Sequence, residues 1–381
     1  MKILPALLLG SALIGCATVE PIPAKRPLNA ASIQAIGKVK MSVAEINSGV
    51  EKSWFMTDSS AAGAQYGLIG GLVTGIMDAI INAGPSKRAQ KAANEIAELV
   101  PSEALNASLM SALKSAVPAD GTTPAGISFS EVTMTQKGLS PKPVDDVVEV
   151  ATSYTLSEDA SAFRFIANVR YQSSTLKYVT PYTFKGKVPK DQLTGPLYSN
   201  TFTYQSAQLP IPVLTPELKD RLIASIQDSY KTETGAPPAA DSQDGKALAK
   251  ELEAARDDKL TKDEIAIFLT RNWLSDGGAL LKREIENAHA FAAKFIVHDL
   301  NYIGIPSVTG KDELVETTTG GRTVRRVGSG VVAGSYVSAP GDLTSFTTYG
   351  NATSISKAST EKLKKLSAEH AKAVAAKKKK A

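Results

Sequence analysis

The sequence predicts an α+β fold: an antiparallel sheet with packed helices, one of them buried and striped with glycine, plus a helical and β-hairpin C-terminal region. Three observations carry this expectation. Period-two alternation marks strands at Val39, Met41 and Val43, and again through residues 148–171. Cap signals and helical spacing fall between and after those strands. Glycine recurs every fourth residue at Gly63, Gly67, Gly71 and Gly75.

Taken in order, Pro21, Pro23 and Pro27 make residues 16–31 an extended leash. A strand follows around residue 41. From about Ser48 the pattern turns helical and is expected to stop at Gly84-Pro85, and a second helical stretch over 86–117 is broken near Pro101. Val148, Val150 and Tyr154 lead into the polar turn Ser157-Glu158-Asp159. Phe163, Phe165, Ala167, Val169 and Tyr171 alternate on the way out, which predicts a long hairpin with one buried face. Further strand signals lie at 178–186 and 198–205.

Thr215 followed by Pro216 is a helix N-cap with proline in the first turn, so residues 216–232 read as helix. Gly235, Pro237 and Pro238 mark a linker over 235–245. Thr261 and Glu264 form a capping box, and Leu281, Ile285, Ala288, Ala292, Phe295 and Asp299 share one side of a helix ending near Gly304. Gly320-Gly321 turns a hairpin over 313–327 and is expected to set Glu316 across from Arg325. Ser, Gly and Thr dominate from there to about residue 356, where no regular element is expected.

In the glycine-striped segment, residues 59–84, the only charge is Asp78. At about 100° per residue, Asp78 and Asn82 fall near Gly71 and Gly75, while Ile69, Val73, Ile76 and Ile80 lie opposite. Each glycine costs about 1 kcal/mol relative to alanine inside a helix, so close approach of another backbone must offset the stripe. The preferred expectation is a central helix packed between a sheet and another helix. The alternative is a glycine-zipper helix that inserts in a membrane or forms oligomers, with Asp78 and Asn82 bonding across the interface.

The chain starts Met1-Lys2, runs uncharged from Ile3 to Ile14, and reaches the small residue Gly15 before Cys16, its sole cysteine. That order is a secretory signal, and the apolar run is too short to span a hydrocarbon core about 30 Å thick. Leu13-Ile14-Gly15-Cys16 resembles the lipobox of bacterial lipoproteins. The resemblance implies cleavage before Cys16, acylation of its thiol and stable attachment through several acyl chains. Ala17 in the second mature position implies outer-membrane sorting. No internal disulfide can form, so packing must supply the stability.

The formal charge of +5 does not point to nucleic acid. Residues 357–381 hold nine lysines against two glutamates, so everything ahead of this Lys/Ala-rich tail is net negative. The tail is a candidate contact for anionic lipid or an envelope polymer.

Candidate chemistry is sparse. Glu286 and His289 have Glu-x-x-His spacing, but the second copy such metal sites require is missing, Glu284 does not replace it, and a solvated helix face is expected. His298-Asp299 ends that helix, where an imidazole can meet the last carbonyls, and His370 belongs to the tail. Asp257, Asp258, Asp263 and Glu264 lack the glycine and register of a calcium loop and read as a charged helix start. No nucleophile elbow, phosphate loop, zinc helix or dinucleotide fingerprint occurs, so no catalytic, metal or cofactor residue is assigned.

The resulting map is a signal peptide over 1–15, lipidated Cys16 with its leash to 31, an α+β domain over 32–234, the linker, a helical and hairpin region over 246–356, and the tail. The expected role is a membrane-anchored envelope lipoprotein that binds another envelope protein, or serves assembly or structure. The alternatives are a membrane-inserting or channel-forming lipoprotein and an envelope hydrolase.

Overall fold

The computed structural model describes residues 26–28, 30–36, 38–54, 83–116, 128–134, 145–157, 159–177, 187, 195–232, 234–302, 311–318, 320–328, 333–341 and 353–355. Cys16, the stripe of Gly63, Gly67, Gly71 and Gly75 with Asp78 and Asn82, the strand signal at 178–186, and the tail with His370 lie outside the described residues.

The fold is α+β. Among the described residues the strands are β1 (Lys38–Trp54), β2 (Ser128–Met134), β3 (Val147–Leu156), β4 (Phe163–Gln172), β5 (Tyr198–Gln205), β6 (Glu313–Thr317), β7 (Arg322–Arg326), β8 (Tyr336–Pro340) and β9 (Thr353–Ile355). The helices are α1 (Ala30–Ile36), α2 (Ala83–Leu99), α3 (Ser102–Ala116), α4 (Pro216–Ser229), α5 (Gln243–Ala254) and α6 (Lys262–Leu300). One sheet runs β2-β1-β3-β4-β5-β8-β7-β6, with β9 pairing the end of β1.

The sheet is mixed, which corrects the antiparallel expectation. β1 runs parallel to both β2 and β3, and β5 parallel to β8. Parallel neighbours need crossover connections. Helices α2 and α3 lie on the chain between β1 and β3, and α4 to α6 between β5 and β8.

Cross-strand pairs on the hairpin's buried face are Val148↔Tyr171, Val150↔Val169, Tyr154↔Phe165 and Leu156↔Phe163. β4 alternates buried and half-buried along its whole length, as its sequence predicts. Helices α2 and α3 pack on β1, and α6 packs on β4, β5 and α3. Ile96, Leu105, Leu109, Trp273, Leu281, Ala288 and Ala292 meet the sheet in one core. A smaller cluster joins Leu222 and Ile226 of α4, and Tyr230 at its C-cap, to Ala266, Ile267 and Phe268 of α6.

Several local expectations need correction. Residues 48–54 are strand, because β1 passes an irregularity between Glu45 and Val50 and resumes pairing with β3. Asn47-Ser48-Gly49, with Gly49 at φ 124°, interrupts the alternation and disguises the continuation. Gly84 and Pro85 sit in the first turn of α2, where proline gives up an N–H that has no intrahelical acceptor, and the helical stretch expected ahead of them over 55–82 lies outside the described residues.

Glu316 faces Val324, and Arg325 faces Leu314, because the β6–β7 register shifts between Leu314 and Glu316. The Ser/Gly/Thr-rich stretch also holds strands, β8 and β9. Tyr336 and Val337 of β8 are buried against the sheet's other elements, which offsets the weak local propensity.

Candidate functional site

α6 is two helices in one run. Its N-terminus carries the predicted capping box, with Thr261 N–H donating to Glu264 Oε2 at 2.6 Å and Glu264 N–H to Thr261 Oγ1 at 3.3 Å. Ser275, at ψ 156°, ends the first arm, and Asp276, Gly277 and Gly278 take left-handed angles before the second arm starts. The second arm packs against both the sheet and α3, so its buried stripe is wide. Glu284, Ile285, Ala288, His289, Phe291, Ala292, Phe295, Ile296 and Asp299 are all buried.

Three ionisable side chains on that stripe fasten the helix to the strands. Glu284 accepts the Tyr204 hydroxyl at 2.7 Å, and Arg322 stacks 4.2 Å from the same ring while donating to the Gln205 carbonyl at 2.6 Å. Asp299 accepts from the Tyr198 hydroxyl at 2.7 Å and from Asn200 Nδ2 at 2.8 Å, all on buried groups. His289 has Ser108 Oγ at 2.9 Å on Nδ1 and the Tyr154 hydroxyl at 2.9 Å on Nε2. Either neutral tautomer is satisfied, because each hydroxyl can donate or accept.

The solvated face expected for Glu286 and His289 is therefore half wrong. Glu286 is exposed, whereas His289 is 1% exposed and sits edge-on to the Tyr154 and Phe165 rings. Burial pushes its pKa down to about 4, so the imidazole is neutral near pH 7. Burial, with Asp299 close by, raises Tyr198 well above the ordinary phenol value, and burial raises Tyr204 and Tyr336 too. None of these groups titrates near neutrality. They act as structural pins between helix and sheet.

Next to Asp299, His298 packs edge-on to Phe295 and Tyr336. Arg326 donates to Glu313 at 2.9 Å and to the Tyr336 hydroxyl at 2.7 Å, and stacks on Tyr302. Burial opposes its charge, but Tyr336, Tyr302 and Glu313 outweigh that and hold the guanidinium protonated. Glu316 pairs with Lys294 on the surface.

Of the acids Asp257, Asp258, Asp263 and Glu264, Glu264 is engaged in the cap of α6 and Asp258 pairs with Lys219 at 3.1 Å. Among the described residues no three His, Cys, Asp or Glu side chains gather in a way that could hold a metal ion, and no helix is long and apolar enough to cross a membrane. A shallow cleft between α2, α4 and α6 is lined by Lys91, Glu95, Ser225, Thr270 and Arg271. Its cations already face carboxylates, Lys91 with Asp228 and Arg271 with Glu95 at 3.1 Å.

Two further features define how the body is held and what it presents. Arg26 and Ser199 exchange backbone hydrogen bonds of 2.8 and 3.2 Å, on the stretch of β5 ahead of its pairing with β8. Arg26 and Leu28 are buried there, inside the segment read as a leash. Beyond the other end of β5, Leu209 N–H donates to the Ser161 carbonyl at 2.7 Å, and Thr215 caps α4 by accepting from the Leu218 N–H. Between these two pins Ile211 is 67% and Val213 81% exposed.

The pins Tyr198, Tyr204, Arg322 and Arg326 were not singled out from sequence. The signal available was the even spacing of Tyr198 and Tyr204 on one strand face, which places both toward whatever helix covers the sheet.

No protein-family model, curated protein sequence or solved structure matches the chain.

Proposed function

We propose that this chain is a lipid-anchored protein of the bacterial envelope, attached to the outer membrane through Cys16, whose folded body binds another envelope protein or serves assembly rather than catalysis. The observation that carries the reading is the sole cysteine, set behind an apolar run and Gly15, only ten residues before Arg26 enters the fold. A lipid on Cys16 would hold the body within at most about 35 Å of the bilayer surface. The engagement of Glu284, His289 and Asp299 as internal pins supports a binding role, since it takes these three groups out of contact with a substrate. The lysines of 357–381 would add attraction to anionic lipid or envelope polymer.

Growth with an alkyne-tagged palmitate tests the anchor. The wild-type chain should take up the label and pellet with outer membranes, and Cys16→Ser should do neither. A wild-type chain that stays unlabelled ends the proposal.

A further inference from the structure

Helices α4 and α5 take their main packing from each other, from α2 and from the first arm of α6, not from the sheet. Their apolar side chains belong to the smaller cluster, where Leu222 and Ile226 meet Ile267 and Phe268, and the main core is built without them. The pair is bonded within itself. Tyr230 donates to Glu251 of α5 at 2.8 Å, and Lys219 of α4 donates to the Arg256 carbonyl just after α5 at 2.8 Å. The chain that leads into it is loosely tied, since residues 210–214 make no backbone hydrogen bond among the described residues.

What fastens the pair to the body is largely charge. Asp228 of α4 pairs with Lys91 of α2, with Lys231 at 3.3 Å and with Arg271 of α6 at 3.9 Å. Arg271 also pairs with Glu95 of α2 at 3.1 Å. These side chains are 30–51% exposed, so each pair is weak and screened by salt. Three cations thus meet on one carboxylate. Burial lowers the Lys91 pKa, Glu95 opposes that, and Arg271 and Lys231 lower it further. Without Asp228 the three cations would repel one another.

We propose that α4 and α5 form a lid that opens as one unit from α2 and the first arm of α6, with Asp228 as its latch. Opening breaks a small apolar cluster and a few screened ion pairs and leaves the sheet and main core intact, so it costs far less than global unfolding. It uncovers Ile267 and Phe268, and the cleft wall formed by Lys91, Thr270 and Arg271. The lid does not depend on the lipid anchor.

Hydrogen–deuterium exchange of the purified full-length chain, read by mass spectrometry, tests this. Amides of α4 and α5 should share one protection level and exchange on the order of a hundredfold faster than those of β4. Asp228→Asn should speed them about tenfold. Salt at 1 M, where the screening length is about 3 Å, should act in the same direction. Asp228→Lys should open the lid further, and adding Lys91→Glu should recover much of the closure by restoring a pair of opposite charges. Asp299→Ala is the control for general destabilisation. Its pin to Tyr198 survives opening of the lid, so that variant should speed β4 and leave α4 and α5 unchanged. Exchange of α4 and α5 in step with β4, separate protection of the two helices, or rates indifferent to Asp228→Asn would each overturn the lid.

Discussion

The Tyr198 hydroxyl donates to Asp299 Oδ2 at 2.7 Å, with both residues 1% exposed or less, and so ties the N-terminal residue of β5 to the last turn of α6. Asn200 Nδ2 shares that oxygen at 2.8 Å, on the same face of the strand. The carboxyl group is thus the acceptor for two buried donors at once.

Asp299→Ala should therefore destabilise the fold by roughly 3 kcal/mol, because two buried donors lose their acceptor in a space closed to water. Asp299→Asn keeps one carbonyl oxygen and should cost less. Urea unfolding of the three chains checks the order. An Asp299→Ala variant as stable as wild type would show that the pin adds nothing.

His289 predicts an acid sensitivity. Its pKa is lowered from 6.5 to about 4 by burial, so between those values the unfolded chain binds more protons than the folded one. The stabilising contribution is complete above about pH 6.5 and is lost as pH falls toward 4, for a total of about 3 kcal/mol. Stability of His289→Gln, whatever its absolute value, should lack that share of the slope between pH 6.5 and 4. Parallel stability–pH curves for the two proteins would dismiss the histidine as the cause.

Much of the secondary structure could be read from sequence where a local rule had no rival. β4 follows from unbroken alternation, and the starts of α4 and α6 follow from Thr215-Pro216 and Thr261/Glu264. What sequence withheld is long-range. Nothing in Tyr336–Pro340 announces that β8 will lie parallel beside β5, and the burial it gains there overrides a Ser- and Gly-rich context. His289 misled for a related reason: a helix covered on two sides has a buried stripe wider than one-faced amphipathicity suggests.

The capping box offers a local measure. Thr261→Ala removes the acceptor of the Glu264 N–H and should cost about 1 kcal/mol. Thr261→Ser, which keeps the hydroxyl, should recover most of it. Denaturant midpoints compared at equal m-values decide the matter, and equal losses for Ala and Ser would mean that the methyl group, not the hydrogen bond, matters.

The break in α6 predicts a reversal of sign. Inside an uninterrupted helix, glycine to alanine stabilises by about 1 kcal/mol. Gly277 instead has φ 64°, and an added Cβ would meet nothing within 4 Å, so the backbone conformation alone sets the outcome. Gly277→Ala should then destabilise by about 1 kcal/mol, the cost of a left-handed angle for an L side chain. Gly278 has φ 73° and a Cβ there would press on Leu99 Cδ1 at 3.4 Å, so Gly278→Val should cost more than Gly278→Ala. The angle matters because the bend sets Trp273, whose Nε1 donates to the Ala160 carbonyl at 2.6 Å, against the β3–β4 turn while the second arm lies along the strands. Stabilisation by Gly277→Ala in thermal or urea unfolding would mean that the helix runs straight through, and that the first arm reaches the turn by another route.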